Sequence, residues 1–303
     1  MDIHHSIEDF KCNSKTIVTI GTFDGVHQGH MSILEYLINT AKKEKKESVL
    51  LTFTPHPRNV LFPEGDDLKL LNSQKEKAER MKKIGLQHLI FHEFTKDFSR
   101  ISPVNFIRDI LLNKLNMGFM VVGYDHHFGR NREGSFLDLK EYAKLYSFKL
   151  KKISPYTFDE TEISSTKIRN ALLAGDIEIA NKFLGYPYMF SGKVVHGDKI
   201  GREIGFPTAN IQVDNAKLLP KHGVYAVKVE LVEGVFFGML NISDKTLKIE
   251  VNIFNFSQEI YDCNIVVRVL NRLRDEKEIG SLEDLKMQLI KDKNKCMKLL
   301  NLF

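Results

Sequence analysis

Residues 16–30 read TIVTIGTFDGVHQGH, and this stretch decides the architecture of the chain's first half. Thr16 to Ile20 are all β-branched, which favours a strand. Gly21, Gly25 and Gly29 then free the backbone for a tight turn into a helix that opens near Met31. Strand, glycine turn and helix mouth together make an anion site, because the free N–H groups and the dipole of a first helical turn favour negative charge. His27 and His30, three apart at that mouth, face the same way. Two imidazoles beside a helix N-terminus can offset charge that builds on an α-phosphate as it becomes five-coordinate. A helix cap and a core contact are the plainer readings of the same pair. A metal centre is disfavoured, since no Glu or third His stands at zincin spacing.

The same rhythm continues outward from this stretch. From Lys15 to about Ile153 the apolar runs SVLLTF, HLIFHEF, GFMVVGY and FKLKKI alternate with amphipathic segments such as Ile33, Leu34, Leu37, Ile38 and Ala41. Alternation of this kind means βαβ units, so a doubly wound, Rossmann-like α/β domain with a parallel sheet is predicted. Two short helices follow, ISSTKIRNALLAG and DIEIANKFLG, stopped by Gly175 and Gly185, and Tyr186-Pro187 then breaks the pattern. The expected domains are 1–185 and 186–303. Beyond the break the runs MFSGKVV, GVYAVKVELV, VFFGMLNI, LKIEVNIF and NIVVRVL succeed one another without helices, which predicts a small antiparallel barrel. Ser281, three residues before Asp284, caps a final helix expected on the barrel's outside.

Composition excludes several classes. With 43% hydrophobic and 27% charged residues among 303, the chain is globular and long enough for two cores. No apolar run approaches the roughly 20 residues of a membrane span, and Asp2, His4, His5, Glu8 and Asp9 do not form a signal peptide. A cytoplasmic protein with no membrane partner is the expectation. Cys12, Cys263 and Cys296 lack metal-ligand spacing and read as buried or idle thiols. The net charge of +5 is small for this length, and Lys42, Lys43, Lys45 and Lys46 alternate with Glu44 and Glu47 as a solvated helix end does. No nucleic-acid partner is expected.

A second glycine-rich stretch, GKVVHGDKIGREIGFPTAN, spans Gly192 to Asn210. Gly197, Gly201, Arg202 and Gly205 concentrate backbone freedom and positive charge, the composition of a loop that wraps phosphates with N–H groups. Thr208 and Asn210 point the same way if that segment is extended, and two neutral oxygen ligands suit Mg²⁺ that keeps waters and ATP phosphates. Taken alone, PTAN is also an ordinary turn entering a strand.

The pattern GxFDGVHxGH resembles the signature of the class I-like nucleotidyltransferase fold, and its Phe23-Asp24-Gly25 insert is similar to the bacterial FAD synthetase branch. TFTPHP at Thr52 to Pro57, VGYDHHFG at Val122 to Gly129 and ISSTKIR at Ile163 to Arg169 match the same branch in order. The resemblance implies that Gly21, Phe23, Asp24 and Gly25 bind nucleotide, and that Ser165, Thr166 and Arg169 hold the β- and γ-phosphates. It implies a nucleotide or flavin contact for Asp125, with a turn-stabilising role as the other reading, and substrate contacts for His56 and Phe128. His126 and His127 depart from relatives that carry an aromatic and a different basic residue there. The second half resembles riboflavin kinase through GxVVHGxxxGRxxGFPTAN, GVYAV, IEVNIF and RLRDEK. That likeness implies Glu250 as catalytic base and Arg274 near the flavin, a C-terminal salt bridge being the other reading of Arg274. Only SDKTLKI separates Ile242 from Glu250, where relatives usually have a longer loop. The implied function is bifunctional, with riboflavin converted to FMN and FMN to FAD by ATP with Mg²⁺. An adenylyltransferase for another phosphate-bearing substrate, with a non-catalytic barrel, is the alternative, and no oligomeric state is legible.

Overall fold

The chain begins with a strand that hydrophobic periodicity does not announce. Asp2–His4 (β1) is three residues long and largely solvent-facing, and it exists by pairing in parallel with a neighbour. The computed structural model describes residues 1–64, 67–124, 127–130, 133–244 and 248–301, which cluster into two units, Met1–Ser164 and Ser165–Phe303.

In the first unit the expected strands appear as Thr16–Ile20 (β2), Glu47–Thr54 (β3), His88–Glu93 (β4), Met117–Val122 (β5) and Lys149–Lys152 (β6). With β1 they form a parallel sheet in the order β1-β4-β3-β2-β5-β6. The helices are Gln28–Glu44 (α1), Pro57–Leu61 (α2), Gln74–Lys83 (α3), Lys96–Ser99 (α4), Pro103–Asn105 (α5), which runs on as a π-helix over Phe106–Lys114, and Phe136–Leu145 (α6). Successive strand residues face opposite sides. Ile17, Leu50 and Leu89 pack on Leu34, Leu37 and Ile38 of α1 and Met81 of α3. Val18, Val49 and Ile90 pack on Phe106, Ile107 and Leu111 of the π-helix and Leu139 of α6. The sheet is therefore doubly wound as expected. Chain order runs outward from β2 in one direction and from β5 in the other, so a topological switch point lies between them, where such folds bind ligands. The GTFDGVHQGH loop leaves β2 at that point. A small antiparallel hairpin, Thr157–Phe158 (β7) with Thr161–Glu162 (β8), closes the unit.

The second unit opens with Ser165–Ala174 (α7) and Ile177–Leu184 (α8). Tyr188–Val195 (β9), Ala209–Val213 (β10), Gly223–Leu231 (β11), Gly234–Ile242 (β12), Ile249–Ile253 (β13) and Asn264–Arg274 (β14) follow, and Leu282–Leu299 (α10) ends the chain. The strands close an antiparallel barrel in the order β10-β13-β12-β11-β14-β9, with β9 pairing back to β10. One short helix, Ile200–Glu203 (α9), lies in the glycine-rich loop where the sequence predicts no helix. The boundary between the two units, at Ser164, has a physical reason. The Asn181 amide of α8 donates to the Val269 carbonyl at 3.0 Å and accepts from the Tyr188 N–H at 2.6 Å, while Lys221 N–H donates to Leu172 of α7 at 2.9 Å. These bonds tie both helices to the barrel. At the start of α10 the Ser281 hydroxyl accepts from Asp284 N–H at 3.1 Å, and Cys296 of α10 is buried with Val224, Met239 and Leu273. Burial pushes the Cys296 thiol up to about 12, so it is an inert core residue.

Candidate active sites

At the switch point the loop is held in a conformation its residues do not favour. Phe23 has φ +44°, Gly25 +86° and Val26 +37°, and a positive φ is an outlier for a β-branched residue. His27 then caps α1, its Nδ1 accepting from His30 N–H at 3.3 Å. Acceptance at Nδ1 puts the neutral ring's proton on Nε2, which makes that nitrogen a donor. The His27 and His30 rings stack with centroids 3.6 Å apart and planes 19° apart, and Phe23 continues the stack 4.7 Å from His30. A Cβ on Gly29 would lie 3.2 Å from the His27 ring, so glycine gives that ring its room. His30 Nδ1 is buried without a hydrogen-bond partner. Burial first, then His27 and Lys77, hold the His30 imidazole well below its usual range. It is thus a neutral group whose charged form an incoming anion would favour. The residue that caps α1 is also the one stacked on His30.

Beneath the loop lies a buried polar layer. Asp24, 2% exposed, accepts from Leu71 N–H at 3.0 Å and Asn72 N–H at 3.1 Å. Lys77 of α3, 7% exposed, donates from Nζ to the Thr22 carbonyl at 2.6 Å, and the Thr52 hydroxyl donates to the same oxygen at 3.1 Å. Burial pushes the Lys77 ammonium down to about 8, against the opposing pull of Asp24. Asp24 is therefore placed as an anchor of the loop through its backbone contacts.

The remaining expectations for this unit divide. His56 caps α2, its Nδ1 accepting from Arg58 N–H at 3.2 Å, and is half-buried after β3. Phe128, expected as a substrate contact, has a ring that is 6% exposed, packs near Phe106 and lies so close to Gly134 that a Cβ there would meet it at 2.6 Å. The bridge between Phe128 and Gly134 sets this ring among the first unit's core residues. Asp125 and His126 lie outside the described residues. Ser165 and Thr166 open α7 in the second unit, with Arg169 one turn on.

In the barrel the register builds the second site. Asn210 of β10 and Asn241 of β12 both stand opposite Glu250 of β13, which brings the three side chains to one face. Burial raises the Glu250 carboxyl above its usual range, Lys248 and a hydrogen bond from Asn210 oppose this, and Asp198 adds to it. Lys248 forms an ion pair with Asp198. Gly197 is required here, since a Cβ would sit 2.0 Å from Asn210 Nδ2. Gly201 likewise lets the loop fold on itself, a Cβ there lying 2.3 Å from the Phe206 carbonyl, which leaves Gly205 in left-handed backbone at φ +83°. Asn252 Nδ2 donates to the Pro207 carbonyl at 2.7 Å and pins the PTAN turn. Thr208, exposed, lines a cavity of about 510 Å³ with Arg202, Val251 and Tyr261. Arg202 is 3.5 Å from Glu259 at its wall.

No group of three or more His, Cys, Asp or Glu suited to a metal occurs among the described residues. The Thr208 hydroxyl and the Asn210 side-chain carbonyl are two hard neutral oxygens two residues apart, with Gly201 near the first and Gly197 against the second. Such a pair fits a divalent ion that takes its other ligands from phosphate and water.

Residues 9–167 match the FAD synthetase family and residues 184–300 the riboflavin kinase family. The bifunctional riboflavin kinase/FMN adenylyltransferase of Listeria monocytogenes is 38% identical over 96% of this chain and 94% of its own. That of Bacillus subtilis is 34% identical over 97% and 95%. The chain belongs to the bifunctional riboflavin kinase/FMN adenylyltransferase family. A Streptococcus pneumoniae crystal structure described as a macrolide-efflux protein also superimposes with a TM-score of 0.88, at 31% identity and 97% coverage of each chain. No described helix of the present chain is long and apolar enough to cross a membrane.

As a bifunctional riboflavin kinase/FMN adenylyltransferase, the protein is an enzyme of flavin cofactor biosynthesis that uses ATP with a divalent metal. The geometry adds residues that sequence reading missed. Lys77 sits in QKEKAERMKK, which reads as a solvated basic helix, although the capping box of Ser73 and Glu76 fixes the turn that carries it inward. Glu276 accepts from the Ser243 hydroxyl at 2.6 Å and from Asp244 N–H at 3.2 Å, so it tethers the short loop before Glu250. Arg274 forms a salt bridge in the structure: Nε lies 3.0 Å from both Asp292 oxygens, Nη2 2.7 Å from one, and Nη1 donates to the Asp275 carbonyl. Its donors are committed to α10 and the chain beside it.

Proposed function

We propose that the barrel, within residues 186–303, transfers the γ-phosphoryl group of ATP to riboflavin, and that residues 1–185 transfer AMP from a second ATP to the FMN so formed. In the first step Glu250 takes the proton of the ribityl 5′-hydroxyl while its oxygen bonds to the γ-phosphorus and ADP leaves. Asn210 holds that carboxylate, and Gly197, Gly201, Arg202 and Gly205 wrap the phosphates. Thr208 and Asn210 would hold Mg²⁺, which supplies charge neutralisation to the triphosphate. In the second step a phosphate oxygen of FMN bonds to the α-phosphorus and pyrophosphate leaves. FMN's phosphate is already ionised at neutral pH, so this step needs positioned donors, which His27 and His30 supply, and no general base. Gly21, Phe23 and Gly25 shape the loop for nucleotide, His56 stands for substrate, and Ser165, Thr166 and Arg169 take the β- and γ-phosphates as hydroxyls and a cation at a helix start can. The enzyme works in the cytoplasm on these small molecules, without nucleic-acid or membrane partners.

The observation that carries this reading is that each unit owns a separate glycine-built loop, one ending in the His27–His30 stack and the other lying against the Asn210–Glu250 pair. Its test is product analysis with riboflavin, ATP and Mg²⁺. Wild type is expected to give FAD, His30→Ala to accumulate FMN, and Glu250→Ala to leave riboflavin untouched while still converting supplied FMN. Wild type that adenylylates FMN but ignores riboflavin would mean that the short loop has removed the kinase step. Pyrophosphate release with nicotinamide mononucleotide or phosphopantetheine in place of FMN would instead establish the alternative adenylyltransferase.

A further inference from the structure

Lys77 occupies a costly position, since a buried ammonium loses its hydration and is retained only where its surroundings compensate. Here the compensation is specific. Its Nζ binds the Thr22 carbonyl at 2.6 Å, immediately before the run in which Phe23, Gly25 and Val26 take positive φ. Asp24, within that run, fixes the other side of the turn to Leu71 and Asn72. Strained backbone of this kind persists only where neighbouring groups over-determine it. The loop so held is the one that caps α1 with His27 and stacks His27 on His30.

We propose that Lys77 is a positioning residue for the adenylylation step: it clamps the loop between β2 and α1 in its strained form and brings a buried ammonium into the electrostatic surroundings of His30. This inference rests on the assignment of that loop to FMN adenylylation. The titratable groups that face His30 are His27 at the cap and Lys77 on α3, while Asp24 acts on it through Lys77. Burial first, then His27, lower the proton affinity of His30, and the cation adds to both, which keeps the ring neutral until anionic phosphates arrive and reverse the balance. A lysine that only filled space would have neither effect.

The test uses the full chain, because its riboflavin kinase activity reports independently on the rest of the molecule. Wild type, Lys77→Met and Lys77→Arg are compared for pyrophosphate release from ATP and FMN across pH, for riboflavin phosphorylation, and for thermal unfolding. Lys77→Met is expected to lower kcat for FAD formation by about tenfold or more, with riboflavin phosphorylation within about twofold of wild type. Its pH profile should shift so that the inflection of the imidazole moves to higher pH, because the repelling cation is gone. Lys77→Arg keeps the charge, so its inflection should stay within about 0.3 pH units of wild type even as kcat falls. Lys77→Met with a wild-type rate and an unmoved profile would overturn the proposal, and so would a Lys77→Arg profile displaced in the same direction as that of the methionine variant. If Lys77→Met loses its thermal transition, Lys77→Gln takes its place in the same comparison: an inflection moved to higher pH supports the charge role and an unmoved one rejects it. Wild type that forms no FAD at all would refute the underlying adenylylation assignment rather than the role of Lys77.

Discussion

Glu250 holds its proton to higher pH than an exposed glutamate because burial penalises its charge, and the neighbours Lys248 and Asn210 only partly offset that penalty. A base must be ionised to work, so riboflavin phosphorylation should lose rate on acidification around a pKa above the ordinary 4.5. The kcat/KM for FMN formation, followed from acid to neutral pH, should show that inflection, and one at or below 4.5 would contradict the part given to Glu250. The sign for stability is the reverse of the usual carboxylate case. A raised folded-state pKa contributes stability that is present below the unfolded value and lost as pH rises through the folded one.

At the scale of elements, the two chemical loops are built by the same device with different parts. In the first, a helix cap and a buried cation hold left-handed backbone; in the second, glycines permit contacts that any side chain would block. Gly197 makes the sharper prediction, because the alanine Cβ would overlap the Asn210 amide and push it from Glu250. Gly197→Ala should lower riboflavin phosphorylation by roughly 100-fold while FMN adenylylation stays near wild type, since misplacement of a supporting group by about 1 Å can cost that much. Assays of the two half-reactions on one preparation separate this outcome from general misfolding. The cap of α10 was legible in sequence because Ser281 and Asp284 are a local pair three residues apart. Strand β1 was not legible, because three polar-edged residues carry no period and their pairing partner, β4, lies far along the chain.

For the whole molecule, α10 is fastened to the barrel through Arg274 and Asp292, the latter 3% exposed. Lys295 also donates to the Leu273 carbonyl at the same seam. Arg274→Met would strand a buried carboxylate, which should cost about 3–5 kcal/mol. Denaturant unfolding should then show the second unit's transition at lower midpoint with the first unit's transition unmoved, and the KM for riboflavin of the folded enzyme should hold; a raised KM would return Arg274 to the flavin. The sequence by itself determined the α/β rhythm, the barrel strands, both glycine loops and the histidine pair, because period, caps and turn chemistry act within a few residues. Tertiary structure alone decided that Lys77 reaches Thr22 across 55 positions, that Arg274 meets Asp292 rather than open space, that Phe128 turns into the core, and that α7 and α8 dock on the barrel. Burial and ion pairing depend on which distant segments become neighbours, and residue type alone carries no record of that choice.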